Sequence, residues 1–121
     1  MDIHTLLSQL STEDYCYLTT TGRVSGRPHE IEIWFAAENN SVYLLSGSQE
    51  SDWVKNLLKD PAVTLRIARH TFTGTARVVD DKEEELGARY LIAEKYQEWE
   101  AGKTLSHWAQ TALPIAIDVN P

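Results

Sequence analysis

The sequence predicts a mainly β fold of the α+β class. About six mostly antiparallel strands would roll into a closed or nearly closed barrel, with helices packed outside. Three observations lead there. Short runs that alternate apolar and polar residues recur along the chain, as half-buried strands require. Most of their connections are of hairpin length, which suits antiparallel pairing. A chain of 121 residues holds one core but not two of usual size, so residues 1–121 read as a single domain in which the sheet closes on itself.

The elements follow in order. "DIHTLLSQL" reads as a short helix with Ile3, Leu6, Leu7 and Leu10 on one face. "YCYLTTT" (15 to 21) is aromatic and β-branched, and reads as a strand. "GRVSGRP" is a turn. "HEIEIWFAA" alternates: His29, Ile31, Ile33 and Phe35 face one way, Glu30, Glu32 and Trp34 the other. "ENN" is a tight turn in which Asn39 and Asn40 tolerate positive φ. "SVYLLSG" is the next strand. Ser51 or Asp52 caps the helix "DWVKNLLKD", whose stripe is Trp53, Val54, Leu57 and Leu58, and Asp60-Pro61 ends it. "AVTLRIAR" and "FTGTARVV" form two strands joined near His70 and Thr71, with a bulge expected at Gly74. "DDKEEELGARYLIAEKYQEWE" is a longer helix with an acidic first turn that suits the helix dipole. Leu86, Tyr90, Ala93 and either Tyr96 or Gln97 recur there at helical spacing. "LPIAIDV" is the last strand.

Composition narrows the function classes. The chain carries 18 acids against 11 lysines and arginines, a net charge of −7, which disfavours a general nucleic-acid binder. No apolar run is long enough for a membrane span. The N-terminus lacks the basic and apolar regions of a secretory signal. The single cysteine, Cys16, forms no internal disulfide and fits a reducing cytoplasm. His4, His29, His70 and His107 show no metal-ligand spacing, so no metal site is expected. Cys16 lies in an apolar strand without a neighbouring base, and reads as an inert buried thiol.

The acidic excess is concentrated in residues 80–100, so a basic pocket elsewhere is compatible with it. The turn "TTTGRVSGRP" (19 to 28) is the candidate. Gly22 and Gly26 permit positive φ and close approach. Exposed N–H groups around such glycines form anion-binding concavities. Thr21 and Ser25 add hydroxyls, and Arg23 and Arg27 add charge-assisted donors for phosphate or carboxylate. A plain surface hairpin with solvated arginines is the competing reading.

These residues also carry a resemblance. "YLTTTGRVSGRP", the "LLSG" strand and "DWVKNLLKDPAV" together resemble the deazaflavin (F420)-dependent nitroreductases, also called F420H2-dependent quinone reductases. The similarity runs from about residue 15 through "ALPIAIDV". It implies a split β-barrel like that of FMN-binding proteins. It implies hydride transfer from a reduced deazaflavin to a small-molecule electron acceptor: a quinone, nitroaromatic or enone. By the resemblance Thr21, Gly22, Arg23, Ser25, Gly26 and Arg27 hold the cofactor's phosphate and acidic tail. Ser46, Gly47 and Ser48 form a second loop near the ring, and Trp34 lies beside the ring. Ser48, His29 or solvent would supply a proton. Trp53 is either core or a ligand contact, Asn56 either caps its helix or ties it to a strand, and Trp99 and Trp108 lie where relatives build the substrate side and are equally readable as packing residues.

The chain departs from many relatives at Val24 and His29, where lysine and arginine are common, and in "SGSQES", which lacks a lysine and extra glycines. FMN or FAD is therefore an alternative cofactor, and a non-catalytic flavin carrier an alternative role. The resemblance leaves monomer and homodimer both open.

Overall fold

The computed structural model describes residues 1–121. Its elements are α1 (Ile3–Leu10), β1 (Cys16–Thr21), β2 (Pro28–Ile33), β3 (Ala36–Glu38), β4 (Ser41–Ser46), α2 (Asp52–Lys59), β5 (Ala62–Ile67), β6 (His70–Val78), α3 (Lys82–Gln97), α4 (His107–Thr111) and β7 (Leu113–Val119). All seven strands join one sheet in the order β2-β1-β5-β6-β7-β4-β3. Every neighbouring pair is antiparallel.

That order forces curvature. The edge strands β2 and β3 are consecutive in the chain, separated only by Trp34 and Phe35. Three Cα steps reach about 11 Å, whereas the edges of a flat seven-stranded sheet would stand about 29 Å apart. The sheet must therefore curl until its edges meet. They meet without hydrogen-bonding to each other, so the barrel is split.

Inward side chains fill the barrel. Leu18, Phe35, Val42, Leu44, Leu65, Ile67, Ile115 and Ile117 are fully buried in one cluster, which Leu7 of α1 and Leu57 of α2 complete. α3 covers the outer face of β3, β4 and β7, so β4 is buried on both sides. Tyr43 and Ala116 pack there with Ala88, and Ala36 and Leu45 pack with Ile92. The outer face of β6 remains open, with Thr71, Thr73 and Thr75 exposed.

The corner is held by the end of α3. The Tyr96 hydroxyl accepts from the Phe35 N–H (3.1 Å) and donates to the Asp14 carbonyl (2.7 Å). Lys95 Nζ donates to the Phe35 carbonyl (2.9 Å) and lies 3.7 Å from the Phe35 ring centre. The peptide that leaves the sheet thus keeps its hydrogen bonds. At the other end of α3, Arg77 bridges Glu84 (2.6 Å) and Asp118 (2.7 Å), while Tyr43 donates to Glu84. Those bonds hold the Glu84 and Asp118 carboxyls below their ordinary range.

Several sequence expectations change. The run 29–37 is two strands, so there are seven and not six, because hydrogen bonding stops at Trp34 and Phe35 although the alternation continues. Leu58 is 60 % exposed, and buried Asn56 takes the inner side of α2 instead. Leu86 and Tyr90 are exposed, and α3 buries Ala88, Arg89, Ile92 and Ala93. Gly74 is no bulge, since its register is continuous on both sides. A Cβ there would sit 2.8 Å from the Asp118 carbonyl oxygen, so glycine permits close approach of β7. Asn40 does not join Asn39 in positive φ. Ser51 precedes α2 without a side-chain capping bond. α4 was not expected, because five residues show no period.

Burial pulls the Lys95 amine down to about 8, against smaller opposing effects of Cys16, Asp14 and Glu13. Burial likewise pushes the Cys16 thiol up to about 12. In the unfolded chain Lys95 regains an ordinary, higher value, so between about pH 8 and 10.5 the unfolded state binds more protons. Lys95 therefore opposes folding at neutral pH, and the opposition fades as pH rises through that window. In thermal melts from pH 7.5 to 10.5, wild type should gain stability relative to Lys95→Met. Parallel curves for the two proteins would contradict this.

Candidate functional site

The candidate site starts at the β1–β2 turn. The Gly22 N–H donates to the Arg27 carbonyl (2.8 Å) and the Gly26 N–H to the Gly22 carbonyl (2.9 Å), closing the loop. Gly26 has φ 72°, a conformation that side chains disfavour. At Gly22 a Cβ would lie 2.6 Å from His29 Nε2 and from Ser25 Oγ, so the turn folds against His29 only because the residue is glycine. Ser25 Oγ accepts from the Arg27 N–H (3.1 Å) and sits 3.4 Å from His29 Nε2.

Helix α2 supports the turn from below. Buried Asn56 accepts from the Arg23 N–H (3.1 Å) and from Arg23 Nη1 (2.9 Å), and donates to Thr20 Oγ1 (3.2 Å). Arg23 Nη2 pairs with Asp52 at 3.1 Å. Arg23 is therefore a tie between the turn and α2. The N–H groups of Val24 and Ser25, at the tip, make no hydrogen bond within the chain. Arg27 is exposed and enters no ion pair of the chain. A cleft of about 490 Å³ lies here, lined by Gly22, Arg23, Val24, Ser25, His29, Glu30, Ile31, Asp52, Trp53 and Asn56. Trp53 is half-buried, packing against the barrel core with one side on the cleft.

The other candidates gather elsewhere. Trp34 stacks on Tyr96 (ring centres 4.4 Å apart, 4° between planes) and meets Trp108 edge-on at 5.8 Å. A Cβ on Gly47 would touch Trp108 Nε1 at 3.4 Å, which places the 46–48 loop beside these aromatics. Ser46 is buried, and its hydroxyl donates to the Ser48 carbonyl (2.6 Å), so it shapes the loop. Ser48 is exposed, and its hydroxyl accepts from the Glu50 N–H (3.0 Å). Thr21 is half-buried at the end of β1. Trp99, just past α3, stacks on Tyr90 of that helix.

Residues 3–120 match the family described as F420H(2)-dependent quinone reductase. The chain belongs to this family. It is an oxidoreductase, and its cofactor is the deazaflavin F420. The split barrel recurs in solved structures at low identity. One is of a candidate 5-nitroimidazole antibiotic resistance protein from Bacteroides thetaiotaomicron: 16% identity over 100% of this chain and 82% of that one, TM-score 0.78. Another is of an F420-H2 dependent reductase: 20% identity, 86% and 93% covered, TM-score 0.68. A third is of an FAD-binding protein from Mesorhizobium loti: 13% identity, 100% and 91% covered, TM-score 0.69. At these identities the likeness establishes the fold.

The turn carries donors of the chemistry that a phosphate group takes. Two free N–H groups, the Ser25 hydroxyl and the unpaired Arg27 guanidinium are all available on the reductase's turn. Sequence reasoning missed Asp52 as the partner of Arg23, and missed Lys95 as a partner of the corner. Neither pairing has a local signal, since the partners lie far apart in the chain.

Asn56→Ala would leave the part-buried Arg23 N–H without its acceptor. That should cost the reductase about 1–3 kcal/mol of stability. Urea denaturation would check it, and a loss below a few tenths would mean that water replaces the contact freely.

Proposed function

We propose that this reductase passes a hydride from reduced F420 to a small quinone, nitroaromatic or enone-type acceptor in the cytoplasm. The supporting observation is the turn at 22–27, with two unused backbone donors beside an unpaired arginine. Bound reduced F420 supplies the hydride. The chain supplies placement. Val24 N–H, Ser25 N–H and hydroxyl, and Arg27 hold the phosphate. Gly22 and Gly26 let the backbone come close, and Thr21 leads the strand into the turn. Arg23 acts mainly by fixing the turn on α2. Trp34, already stacked on Tyr96 on one face, offers its remaining surface to the ring region, with Ser46 and Gly47 shaping the loop alongside.

The acceptor also needs a proton. His29 stands in the cleft, 3.4 Å from Ser25 Oγ. The Ser48 hydroxyl only accepts within the chain, so its own hydrogen is free to donate. These two side chains are the proposed proton sources. The fully buried thiol of Cys16 fits a reducing compartment. No helix is long and apolar enough to cross a membrane.

Fluorescence titration with F420, followed by turnover of its reduced form with menadione, tests the reading. Saturable binding and menadione-dependent oxidation are expected. Arg27→Ala should weaken F420 binding about tenfold or more, the scale of one charge-assisted hydrogen bond, without lowering the melting temperature. Absence of F420 binding, or unchanged affinity in Arg27→Ala, would overturn it.

A further inference from the structure

The cleft beside the turn is less basic than its sequence suggests. Arg23 is the only lysine or arginine on its lining, and two carboxylates, Asp52 and Glu30, share that lining. Arg23 is already neutralised, with Asp52 at 3.1 Å and the Asn56 amide oxygen at 2.9 Å. Glu30 lies 3.7 Å from Arg66, whose guanidinium sits over the Tyr17 ring at 4.1 Å. Val24, at the tip of the turn, is 94 % exposed and uncharged. A ligand's phosphate at the tip therefore meets free N–H groups, with Arg27 on the same turn but outside this lining. Any further negative charges running along the cleft meet two ion pairs, Asp52 with Arg23 and Glu30 with Arg66, and no unpaired cation on the lining.

We propose that Asp52 determines tail specificity: it cancels the one arginine of the cleft, so this reductase gains no affinity from a longer acidic tail on F420. The inference rests on the reading that the turn holds the cofactor's phosphate. Asp52 acts by cancelling Arg23: its carboxylate, 87 % exposed, pairs with the guanidinium at 3.1 Å, so the pair offers no net positive charge to a carboxylate tail. Its place in the first turn of α2 suits a negative charge, because the helix dipole favours one there.

The test is a fluorescence titration of wild type, Asp52→Asn and Arg27→Ala with two probes: F420 bearing a single glutamyl residue, and F420 bearing a chain of them. Each is run at low and at high salt. Wild type should bind the two within about threefold. Asp52→Asn should tighten the long-tailed probe about fivefold more than the short-tailed one, roughly the scale of a unit-charge interaction near a surface. High salt should shrink that gain. An equal change for both probes, or a loss for both, would overturn the proposal. So would a wild type that prefers the long tail by more than threefold. Arg27→Ala separates the two failures. If it leaves both affinities unchanged, the phosphate site itself is misplaced. If it weakens both while Asp52→Asn acts equally on the two probes, only the tail inference falls.

Discussion

Two residues, Trp34 and Phe35, carry the chain from one edge of the sheet to the other, and the rest of the structure depends on that corner. Their short reach forces seven strands to curl. Because β2 and β3 meet without pairing, the corner peptide must find its hydrogen bonds elsewhere. An unpaired backbone group away from water costs about as much as a lost hydrogen bond. Tyr96 and Lys95 satisfy it, and α3 is thereby fixed against the seam. The same corner sends Phe35 into the barrel core and Trp34 outward onto Tyr96. Core closure and the aromatic side of the candidate site thus follow from one constraint.

The turn at 22–27 explains how an acidic protein comes to hold a basic, glycine-rich segment. Its first arginine faces inward to the structure and binds α2 through Asp52 and Asn56. Only Arg27 remains without a partner. Binding capacity therefore lies mostly in geometry: Gly22 allows contact with His29, Gly26 takes positive φ, and the tip turns two N–H groups to solvent. Such a site is built from fixed dipoles whose orientation is set during folding. On the proposed reading, it needs little rearrangement to take a phosphate.

Much of this was legible in the sequence. The last strand reads directly as residues 113–119, and of the motifs that carry the family resemblance the turn and the α2 stretch line one cleft, while the "LLSG" loop lies apart beside Trp108. Alternation in 29–35 assigned Phe35 and Trp34 to opposite faces, as observed. It could not show the corner, because the alternation of faces continues through residues whose sheet bonding stops. The buried face of α3 was misread for a related reason. Arg89 is buried because its guanidinium binds the carbonyls of Ala109 and Ala112 at the end of α4. Nothing near Arg89 in the sequence announces that partner. Leu86 and Tyr90 looked like core by spacing but lie on the open side. The pairing of Arg23 with Asp52 was hidden likewise, since 29 residues separate them. Local chemistry was readable; long-range polar pairing was not.

If the tip of the turn holds the phosphate of F420, its free N–H groups must respond when the cofactor binds. Amide NMR spectra recorded during titration with oxidised F420 test it most directly. The Val24 and Ser25 N–H resonances should shift saturably and more than any others in the barrel, because those groups gain an acceptor that they lack in the free protein. If both stay in place while F420 binds and moves resonances elsewhere, the cofactor is anchored at another site and the account is wrong.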